Sequence, residues 1–327
     1  MNILFSVIMP TFNSEKTIKI ALDSIANQTI DTSNLECLVI DGGSTDNTLN
    51  IASQFKFVKI LNNPEKIPEI AKKIGIKNAK GKYIIFMDSD EEFLENSSLN
   101  MRLKYLAEYK NAHIVICDQL ISPVNYKKEY GIASNYINIC GDPFSFFMYR
   151  FRLLKYKMYK KSETKEFLFD FSNSISKPIA DGGTTTVDAD FCRKNNLFNK
   201  NEGILADKIF SISPFCICVK GDNVRHYSKG MFIGYLKKIK YRIINNLFDK
   251  KVSGFSNRET KKSYKKFLFP LYVCLLFPVL ADSIYLSVKY NDITFLLHIV
   301  YSFYTIFCIL YFLILKLFKV RIKTKAY

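Results

Sequence analysis

The sequence predicts an α/β protein built on a parallel sheet and followed by a hydrophobic C-terminal region. Strand-like and helix-like segments alternate over the first hundred residues, which is the pattern of βαβ units. The apolar run at residues 83–87 is bounded by turn-forming residues, so it predicts a strand buried on both faces. From Phe267 onward, two long apolar blocks replace the mixed composition of the preceding chain.

Length and composition narrow the class of protein. The chain has 327 residues, enough for one large α/β domain and an appendage. Its formal net charge of +17 is compatible with nucleic-acid binding, but the basic residues concentrate beside the apolar blocks. That placement favours a membrane surface and predicts no nucleic-acid partner. The eight cysteines include no C-x-x-C pair, which predicts no disulfide framework and agrees with a reducing compartment.

The segments of the first half follow one another as strand, helix, strand. We expect strands over residues 3–10, 35–40, 57–61, 83–87 and 113–117, and helices opening at Ser14, Thr48 and Pro68. Residues 3–9 have no charged n-region before them and are interpreted as a strand, not a signal peptide. The chain lacks G-x-G-x-x-G and G-x-x-x-x-G-K-[ST], so neither a dinucleotide fingerprint nor a P-loop is predicted.

The predicted site lies where the fourth strand ends. Asp88, Ser89 and Asp90 follow that strand directly, and open α/β sheets bind ligands at the carboxyl ends of their strands. With one residue between them, both carboxylates can reach one hard cation whose shell the phosphates of a ligand complete. The alternative is a strand capped by two solvated acids.

The loops after the first and second strands contribute further candidates. Pro10, Thr11 and Phe12 end the first strand, and Thr11 and Phe12 are expected to wall a base pocket. Asp41 ends the second strand as an acceptor for a base N–H or a ribose hydroxyl. Gly42 and Gly43 are expected to permit a tight turn. Asp46 in STDNT is interpreted as a residue at a helix N-terminus.

Three segments together resemble glycosyltransferase family 2, which has the GT-A fold. They are SVIMPTFNSEKTIKIALDSIANQT (6–29), VIDGGSTDNT (39–48) and NAKGKYIIFMDSDE (78–91), and the resemblance extends loosely over about residues 5–245. It implies a Rossmann-like, mostly parallel sheet with helices on both faces. It also implies that Asp41 contacts the nucleotide base, Asp88 the ribose, and Asp90 a Mn²⁺ or Mg²⁺ ion on the donor diphosphate.

One departure concerns a basic position. The family often has Arg-Asn where this chain has Lys72 and Lys73. Lysine can hold a phosphate as a point charge without the bidentate fork of arginine, so Lys72 is a candidate diphosphate contact.

The resemblance continues in the second half. Residues 181–198 are similar to the segment that flanks the family's acceptor site. Family members usually show Glu-Asp where this chain has Ala206 and Asp207, and the resemblance makes Asp207 the general base of direct, inverting displacement. VRHYSKG (224–230) resembles the family's His-Tyr segment, so His226 would complete the metal shell or touch the diphosphate. The alternatives are a helix-terminal acid for Asp207 and a structural histidine for His226.

The C-terminal region predicts membrane attachment. Residues 267–288 and 293–318 are each long enough to cross a hydrocarbon core of roughly 30 Å, and together predict a transmembrane hairpin. Pro270, Pro278 and Asp282 leave the first block open as a kinked span or a re-entrant segment. Basic residues flank both blocks, which predicts a multi-pass protein of the cell membrane with a cytoplasmic catalytic domain. Residues 148–161 and 235–243 mix basic with apolar residues, as interfacial helices do, although a solvated basic face is the alternative.

These inferences combine into one expected organisation. Residues 1–110 form the nucleotide-sugar-binding half, 111–230 the acceptor-binding half, 231–266 interfacial helices, 267–318 two transmembrane helices and 319–327 a basic tail. The expected function is transfer of a sugar from a nucleotide-sugar donor to a lipid-linked saccharide or other membrane glycan. The alternatives are a polyprenyl-phosphate sugar synthase, whose phosphate acceptor needs no base, and a catalytically silent nucleotide-binding membrane protein.

Overall fold

The computed structural model describes residues 3–149, 157–161, 166–170, 184–197, 212, 215–248 and 264–322. Contacts divide the chain into two compact units. Unit 1 comprises Met1–Ile121 and Leu154–His226, and unit 2 comprises Ser122–Leu153 and Tyr227–Ala326.

All strands in the described residues belong to unit 1. The strands are β1 (Phe5–Thr11), β2 (Leu35–Asp41), β3 (Val58–Asn62), β4 (Tyr83–Phe86), β5 (Glu91–Phe93), β6 (Ile114–Cys117), β7 (Leu120–Ile121), β8 (Lys157–Lys161), β9 (Glu166–Asp170), β10 (Thr185–Asp188), β11 (Phe215–Val219) and β12 (Val224–His226).

Helices occur in both units. They are α1 (Ile18–Ala26), α2 (Thr48–Ala52), α3 (Pro68–Asn78), α4 (Ser98–Glu108), α5 (Tyr126–Glu129), α6 (Ser134–Cys140), α7 (Pro143–Tyr149), α8 (Ala189–Lys194), α9 (Phe232–Phe248), α10 (Phe269–Cys274), α11 (Phe277–Lys289) and α12 (Leu297–Leu317). The described residues also include three short 3₁₀ helices, Thr32–Asn34, Tyr264–Leu268 and Ile293–Leu296.

The main sheet has the order β3-β2-β1-β4-β10-β6-β11-β9-β8. Its first four strands are parallel, as the alternation of strands and helices predicted. β10 then inserts antiparallel between β4 and β6, and β11 pairs parallel with β6. In register, Thr11 faces Asp41 across β1 and β2, so two of the predicted site loops start side by side.

Helices cover both faces of this sheet because its strands bury both sets of side chains. Along β1, Val7 packs in the cluster that contains α1 and α4 residues, whereas its neighbour Ile8 packs in the cluster that contains α3 residues. Successive strand residues point to opposite faces, which explains the division. Gly75 of α3 lies against Ile8 so closely that an added Cβ would stand 2.4 Å from Ile8 Cγ2.

A second, three-stranded sheet has the order β5-β12-β7. Beside it lies Arg102 of α4, which is fully buried. Its Nε donates to Asp222 Oδ2 at 2.6 Å, and its Nη atoms donate to Thr184 and to Thr186 Oγ1. This ion pair joins segments that are distant in sequence. Because Asp222 lies just before β12, the pair also holds in place the strand that carries His226.

Unit 2 is helical in its described residues, and it does not show the predicted transmembrane hairpin. Among the described helices, only the segment Ile293–Leu317, with a mean hydropathy of 2.0, is long and apolar enough to cross a membrane. The first apolar block is bent by 88° between Cys274 and Phe277, where Leu276 has a φ of 57°. Two spans, and with them a multi-pass protein, are therefore not supported.

Two smaller predictions have outcomes as well. Within residues 148–161, the part from Lys157 to Lys161 is strand β8 paired with β9, so an interfacial helix over that part was wrong. β8 is an edge strand of the main sheet, and composition alone does not distinguish a basic strand from a basic helix. All eight cysteines are free in this structure.

Candidate active site

The loop of Asp88, Ser89 and Asp90 leaves the sheet at the carboxyl end of β4, between β1 and β10. Ser89 is buried, and its hydroxyl lies 2.8 Å from the hydroxyl of Ser14 in the loop after β1. The backbone N–H of Asp88 donates to Glu91 Oε2 at 2.9 Å. The loop is thus held from both sides, at the position that the sequence predicted.

Glu91, the first residue of β5, is a buried acid that the sequence analysis did not single out. It is 2% exposed, and its Oε2 also accepts from the backbone N–H of Thr184 at 3.4 Å. Burial, followed by the charge of Asp88, raises the pKa of Glu91 to about 8. Burial also raises the pKa of Asp88, against the opposing positive charge of Lys72. The acidic cluster is therefore one in which added negative charge is costly and a positive charge is favoured.

His226 supplies a positive charge at this cluster. β12 runs antiparallel to β5, which places His226 opposite Glu91. Its Nε2 lies 3.5 Å from Asp90 Oδ2. Burial lowers the pKa of His226, but the charges of Asp90, Glu91 and Asp88 outweigh it and raise the pKa to about 9. The structure therefore brings together the two residues predicted as metal ligands, here as an ion pair.

The end of β1 carries the predicted base-pocket residues. Pro10 and Thr11 continue the ladder with β2, and the Thr11 hydroxyl donates to the Met9 carbonyl at 3.0 Å. Phe12 is 49% exposed, and Lys66 Nζ lies 5.6 Å from its ring centroid. A nucleobase can stack on such an exposed ring, and the positive charge of Lys66 beside it can attract a phosphate group.

Asp41 uses its carboxylate to shape its own loop. Oδ2 accepts from the backbone N–H groups of Gly43 and Ser44 at 2.8 and 2.9 Å, and Oδ1 accepts from the Ser44 hydroxyl at 2.5 Å. A carboxylate has about four lone-pair sites, so these bonds leave acceptor capacity for a ligand. Gly43 has a φ of 89°, whereas a Cβ on Gly42 would meet its nearest atoms at 3.5 Å, an ordinary contact. Only Gly43 is required by the turn.

The loops after β1 and β2 are joined by hydrogen bonds that the sequence analysis missed. Asn13 receives the N–H of Thr45 on its Oδ1 at 2.8 Å and donates its own N–H to the Ser44 hydroxyl at 2.9 Å. Asp46 accepts from the N–H groups of Thr48 and Glu15, at 3.1 and 3.2 Å. Asp46 therefore caps the start of α2, the role predicted for it. The asparagines and hydroxyl residues of both motifs were the only sequence signal for this pairing.

Helix α3 carries Lys72 and Lys73, the two lysines at the basic position described above. Lys72 Nζ lies 3.7 Å from Glu69 Oε1, and its charge opposes the rise of the Asp88 pKa. Lys73 is buried, and burial lowers its pKa. Lys72 is therefore the lysine placed to act electrostatically at Asp88.

The remaining predicted site residue, Asp207, lies outside the described residues, as does most of the segment between Leu197 and Phe215. Its role as general base stays a prediction.

Asp90 and His226 are the side chains of this site that could hold the implied divalent cation. In the described part of the chain, no three His, Cys, Asp or Glu side chains converge to hold a metal ion by themselves. Asp90 and His226 do converge, and the Asp90 side chain is 39% exposed. Mg²⁺ sites of nucleotide enzymes commonly take one or two protein ligands, with phosphates and water supplying the rest. The residues present fit such a cation when a diphosphate is bound with it.

Comparison with known proteins agrees with this geometry. Residues 6–164 match the family model described as Glycosyl transferase family 2. The chain is 36% identical over 110 residues to an uncharacterized glycosyltransferase of Haemophilus influenzae, covering 32% of this chain and 43% of that protein. It is 32% identical over 117 residues to the poly(ribitol-phosphate) beta-N-acetylglucosaminyltransferase TarS of Staphylococcus aureus, covering 34% and 20%. It is 30% identical over 129 residues to a PGL/p-HBAD biosynthesis glycosyltransferase of Mycobacterium bovis, covering 38% and 50%.

The aligned stretches span half or less of the length of these relatives. Among solved structures, the mannosyltransferase PcManGT from Pyrobaculum calidifontis, in complex with GDP-Man and Mn²⁺, has a TM-score of 0.55 at 15% identity. That match covers 97% of this chain and 88% of PcManGT, and shows a shared fold. The relatives and the family are glycosyltransferases, and the fold is the α/β, GT-A-like one that the resemblance implied. Residues 6–164 therefore carry a glycosyltransferase family 2 domain.

Proposed function

We propose that this chain is an inverting glycosyltransferase that moves a sugar from a nucleoside-diphosphate sugar to a lipid-linked saccharide or other membrane glycan at the cytoplasmic face. The observation that carries the proposal is the convergence of Asp88, Asp90 and His226 at the carboxyl end of β4. An acidic cluster with one half-exposed carboxylate suits a donor that arrives as a diphosphate with a divalent cation.

The chain's own residues divide the work of binding the donor. Phe12 offers a ring for the base, with Lys66 beside it, and Asp41 offers its remaining acceptor sites to the base edge. Asp88 accepts from ribose hydroxyls, and Lys72 attracts the diphosphate. Two hydrogen bonds position the acidic loop. One joins the hydroxyls of Ser89 and Ser14, and the other runs from the Asp88 N–H to the Glu91 carboxylate.

Asp90 and His226 would hold the cation. A bound divalent cation supplies charge neutralisation to the departing diphosphate. Before the donor arrives, the 3.5 Å contact of His226 Nε2 with Asp90 Oδ2 orients the Asp90 carboxylate, and the imidazole would release its proton on binding the cation.

Asp207 is proposed as the base that takes the proton of the acceptor hydroxyl. One carboxylate acting on the face opposite the leaving group gives direct displacement, and so inversion. The membrane acceptor rests on the apolar C-terminal segment, which includes a helix long enough to enter a bilayer.

The first experiment is a screen of nucleotide sugars with purified protein and Mn²⁺, with hydrolysis and transfer to membrane extract both measured. With the donor identified, Asp90→Ala and Asp207→Asn are each expected to abolish transfer. Only Asp90→Ala is expected to weaken metal-dependent donor binding in calorimetry. Asp23→Asn, at an exposed i,i+4 pair on α1, is the matched control and is expected to keep full activity.

Two outcomes would overturn the assignment. Full activity of both variants would remove the proposed roles of Asp90 and Asp207. Retained transfer in Asp207→Asn alone, with a phosphorylated polyprenol as acceptor, would instead identify a sugar synthase that needs no base.

A further inference from the structure

The feature that carries a further inference is the way α12 is packed within unit 2. One face of α12 is buried and contains Tyr301, Thr305, Cys308 and Phe312, spaced four, three and four residues apart. This spacing marks a single helical face. The adjoining face at His298, Ser302 and Ile306 is also buried, against residues of α6, α7, α10 and α11. In the described part of the chain, the rest of the α12 surface is partly or fully exposed.

The covering element along that face is α9, which runs beside α12 over most of its length. Near the start of α9, the ring centroids of Tyr235 and Tyr301 lie 4.8 Å apart. Near the middle of α9, Lys240 Nζ lies 5.8 Å from the Phe312 ring centroid, and near its end the Leu247 carbonyl accepts from Lys316 Nζ at 2.5 Å. Any depth that α12 reaches in a membrane is therefore reached by α9 too.

α9 is unsuited to cross a hydrocarbon core. It carries Lys237, Lys238, Lys240 and Arg242 within its 17 residues, and Lys237 and Lys240 are exposed. Charged side chains at the centre of a bilayer are costly unless they face a protein interior or a water-filled cavity. A basic, exposed face beside an apolar one is instead the composition of a helix that lies in the membrane interface.

The opposite face of α12 is uncovered and apolar. Phe303, Phe307, Leu310, Ile314 and Leu317 repeat at spacings of four, three, four and three, and Phe307 is 64% exposed. The face continues onto α10 and α11, where large apolar side chains are exposed up to Phe277 at 76%. Isolated soluble proteins rarely expose a continuous apolar surface of this extent.

The bend between α10 and α11 fits the same arrangement. The bend separates the segments Tyr264–Cys274 and Phe277–Lys289, which meet at 88°. At 1.5 Å per residue they are about 17 and 20 Å long, so neither segment alone spans a hydrocarbon core of about 30 Å. A pair bent in this way is either a broken span or a re-entrant segment, and a re-entrant segment fits an anchor in one leaflet.

The charges beside the apolar face indicate which lipid headgroups it would meet. In residues 232–248 and 264–322 the acids are Asp282 and Asp292 alone. Asp292 is already paired with Lys127 at 3.0 Å, and Asp282 accepts from the Tyr272 hydroxyl at 2.7 Å. Arg242 of α9 is paired with Asp142 at 3.3 Å, so the exposed Lys237 and Lys240 are the α9 residues that we expect to attract anionic lipid headgroups.

We propose that unit 2 is a monotopic anchor that lies in one leaflet of an anionic bilayer. The exposed face of α10, α11 and α12 sits among the acyl chains, and the basic face of α9 meets the headgroups. α12 does not cross the bilayer. This inference concerns membrane attachment and holds whether or not the proposed transfer reaction is correct.

The first test is topology. Lys237→Cys, Lys289→Cys and Arg321→Cys introduce thiols at exposed positions on α9 and at either side of α12; each is made in the full chain carrying Cys274→Ser, which removes an exposed native thiol. A membrane-impermeant maleimide is applied to spheroplasts and to inverted membrane vesicles of a bacterial expression host. A one-leaflet anchor gives labelling of all three positions from the same side. Labelling of Lys289→Cys and Arg321→Cys from opposite sides would overturn the proposal in favour of a membrane-spanning α12.

The second test is flotation of the purified full chain with vesicles of phosphatidylcholine, with and without phosphatidylglycerol. The triple variant Phe303→Asp, Phe307→Asp and Leu310→Asp is expected to lower the bound fraction about tenfold, and Lys237→Glu with Lys240→Glu to lower it only on anionic vesicles. Val124→Asp, at an apolar residue 92% exposed elsewhere in unit 2, is the matched control. Unchanged flotation of the triple variant would overturn the proposal. Donor hydrolysis by unit 1, measured in the same samples, reports separately on the proposed enzyme.

Discussion

Asp90 Oδ2 and His226 Nε2 lie 3.5 Å apart and form an ion pair across two antiparallel strands of the small sheet. The pair joins the loop after β4 to β12, the last described strand of unit 1. Because neighbouring acids favour the protonated imidazole, the pair has a definite dependence on pH.

Metal-free protein should show that dependence in its stability. The pKa of His226 is raised from 6.5 to about 9, so the folded state holds a proton that the unfolded state releases between these values. The stabilisation is fully present below pH 6.5 and is lost as the pH rises through 9. We expect the difference in unfolding free energy between wild type and His226→Gln to shrink by about 1 kcal/mol over that window, since the half-exposed Asp90 is screened.

Denaturant unfolding in the presence of a chelator measures this difference. His113→Gln, at a histidine stacked on Phe191 with 4.5 Å between ring centroids, is the control for losing an imidazole. A constant difference between wild type and His226→Gln from pH 6 to 10 would contradict the ion pair.

The stability of a Glu91 variant should also depend on pH, because the pKa of this buried acid is shifted. Its pKa is raised from 4.5 to about 8, chiefly by burial and then by Asp88, so folding favours its protonated form. The stabilisation is present below pH 4.5 and falls as the pH rises through 8. Glu91→Gln copies the neutral form, so its stability relative to wild type should increase between pH 5 and pH 9.

Glu91→Ala separates charge from hydrogen bonding. Without an acceptor for the N–H groups of Asp88 and Thr184, it should be less stable than Glu91→Gln at every pH, by about 1–3 kcal/mol. Melting curves at pH 5, 7 and 9 in metal-free buffer compare the three proteins. A loss of stability of Glu91→Gln relative to wild type with rising pH would contradict the assignment of Glu91 as a buried, protonated acid.

The sequence predicted those parts of unit 1 that local pattern determines. The predicted helix at 68–78 is α3, and the acids predicted after the fourth strand do follow β4. The partners of those acids were not predictable in the same way. Glu91 becomes a buried acid only because β5 pairs with β12, and His226 reaches Asp90 through that same pairing of distant segments.

The apolar C-terminal region shows a second limit. Hydropathy identified residues 293–318 but cannot report that α9 covers one face of α12. Nor does composition predict the left-handed backbone at Leu276, where the first block bends. In both cases the deciding factor is tertiary packing, which a run of apolar residues leaves open.

Gly42 and Gly43 differ in a way that mutation can test. Gly43 has a φ of 89°, where a Cβ strains the backbone, so Gly43→Ala should cost about 1–2 kcal/mol of unfolding free energy. Gly42→Ala meets only ordinary contacts at 3.5 Å and should change stability by less than about 0.5 kcal/mol. Because Gly43 N–H donates to Asp41, the costly variant should also weaken nucleotide binding in calorimetry. Equal effects of the two variants on stability would contradict this distinction.

The buried pair of Arg102 and Asp222 gives the largest predicted effect. Both side chains are fully buried with 2.6 Å between Nε and Oδ2, so Arg102→Met leaves an uncompensated carboxylate and should cost about 3–5 kcal/mol. Adding Asp222→Leu to Arg102→Met removes that buried charge and should recover part of the loss. Lys19→Met, at the exposed pair with Asp23, is the control and should change stability by less than about 1 kcal/mol. Denaturant unfolding of wild type, Arg102→Met, the double variant and the control measures these differences. A double variant less stable than Arg102→Met would contradict the view that the unpaired buried carboxylate of Asp222 dominates the cost.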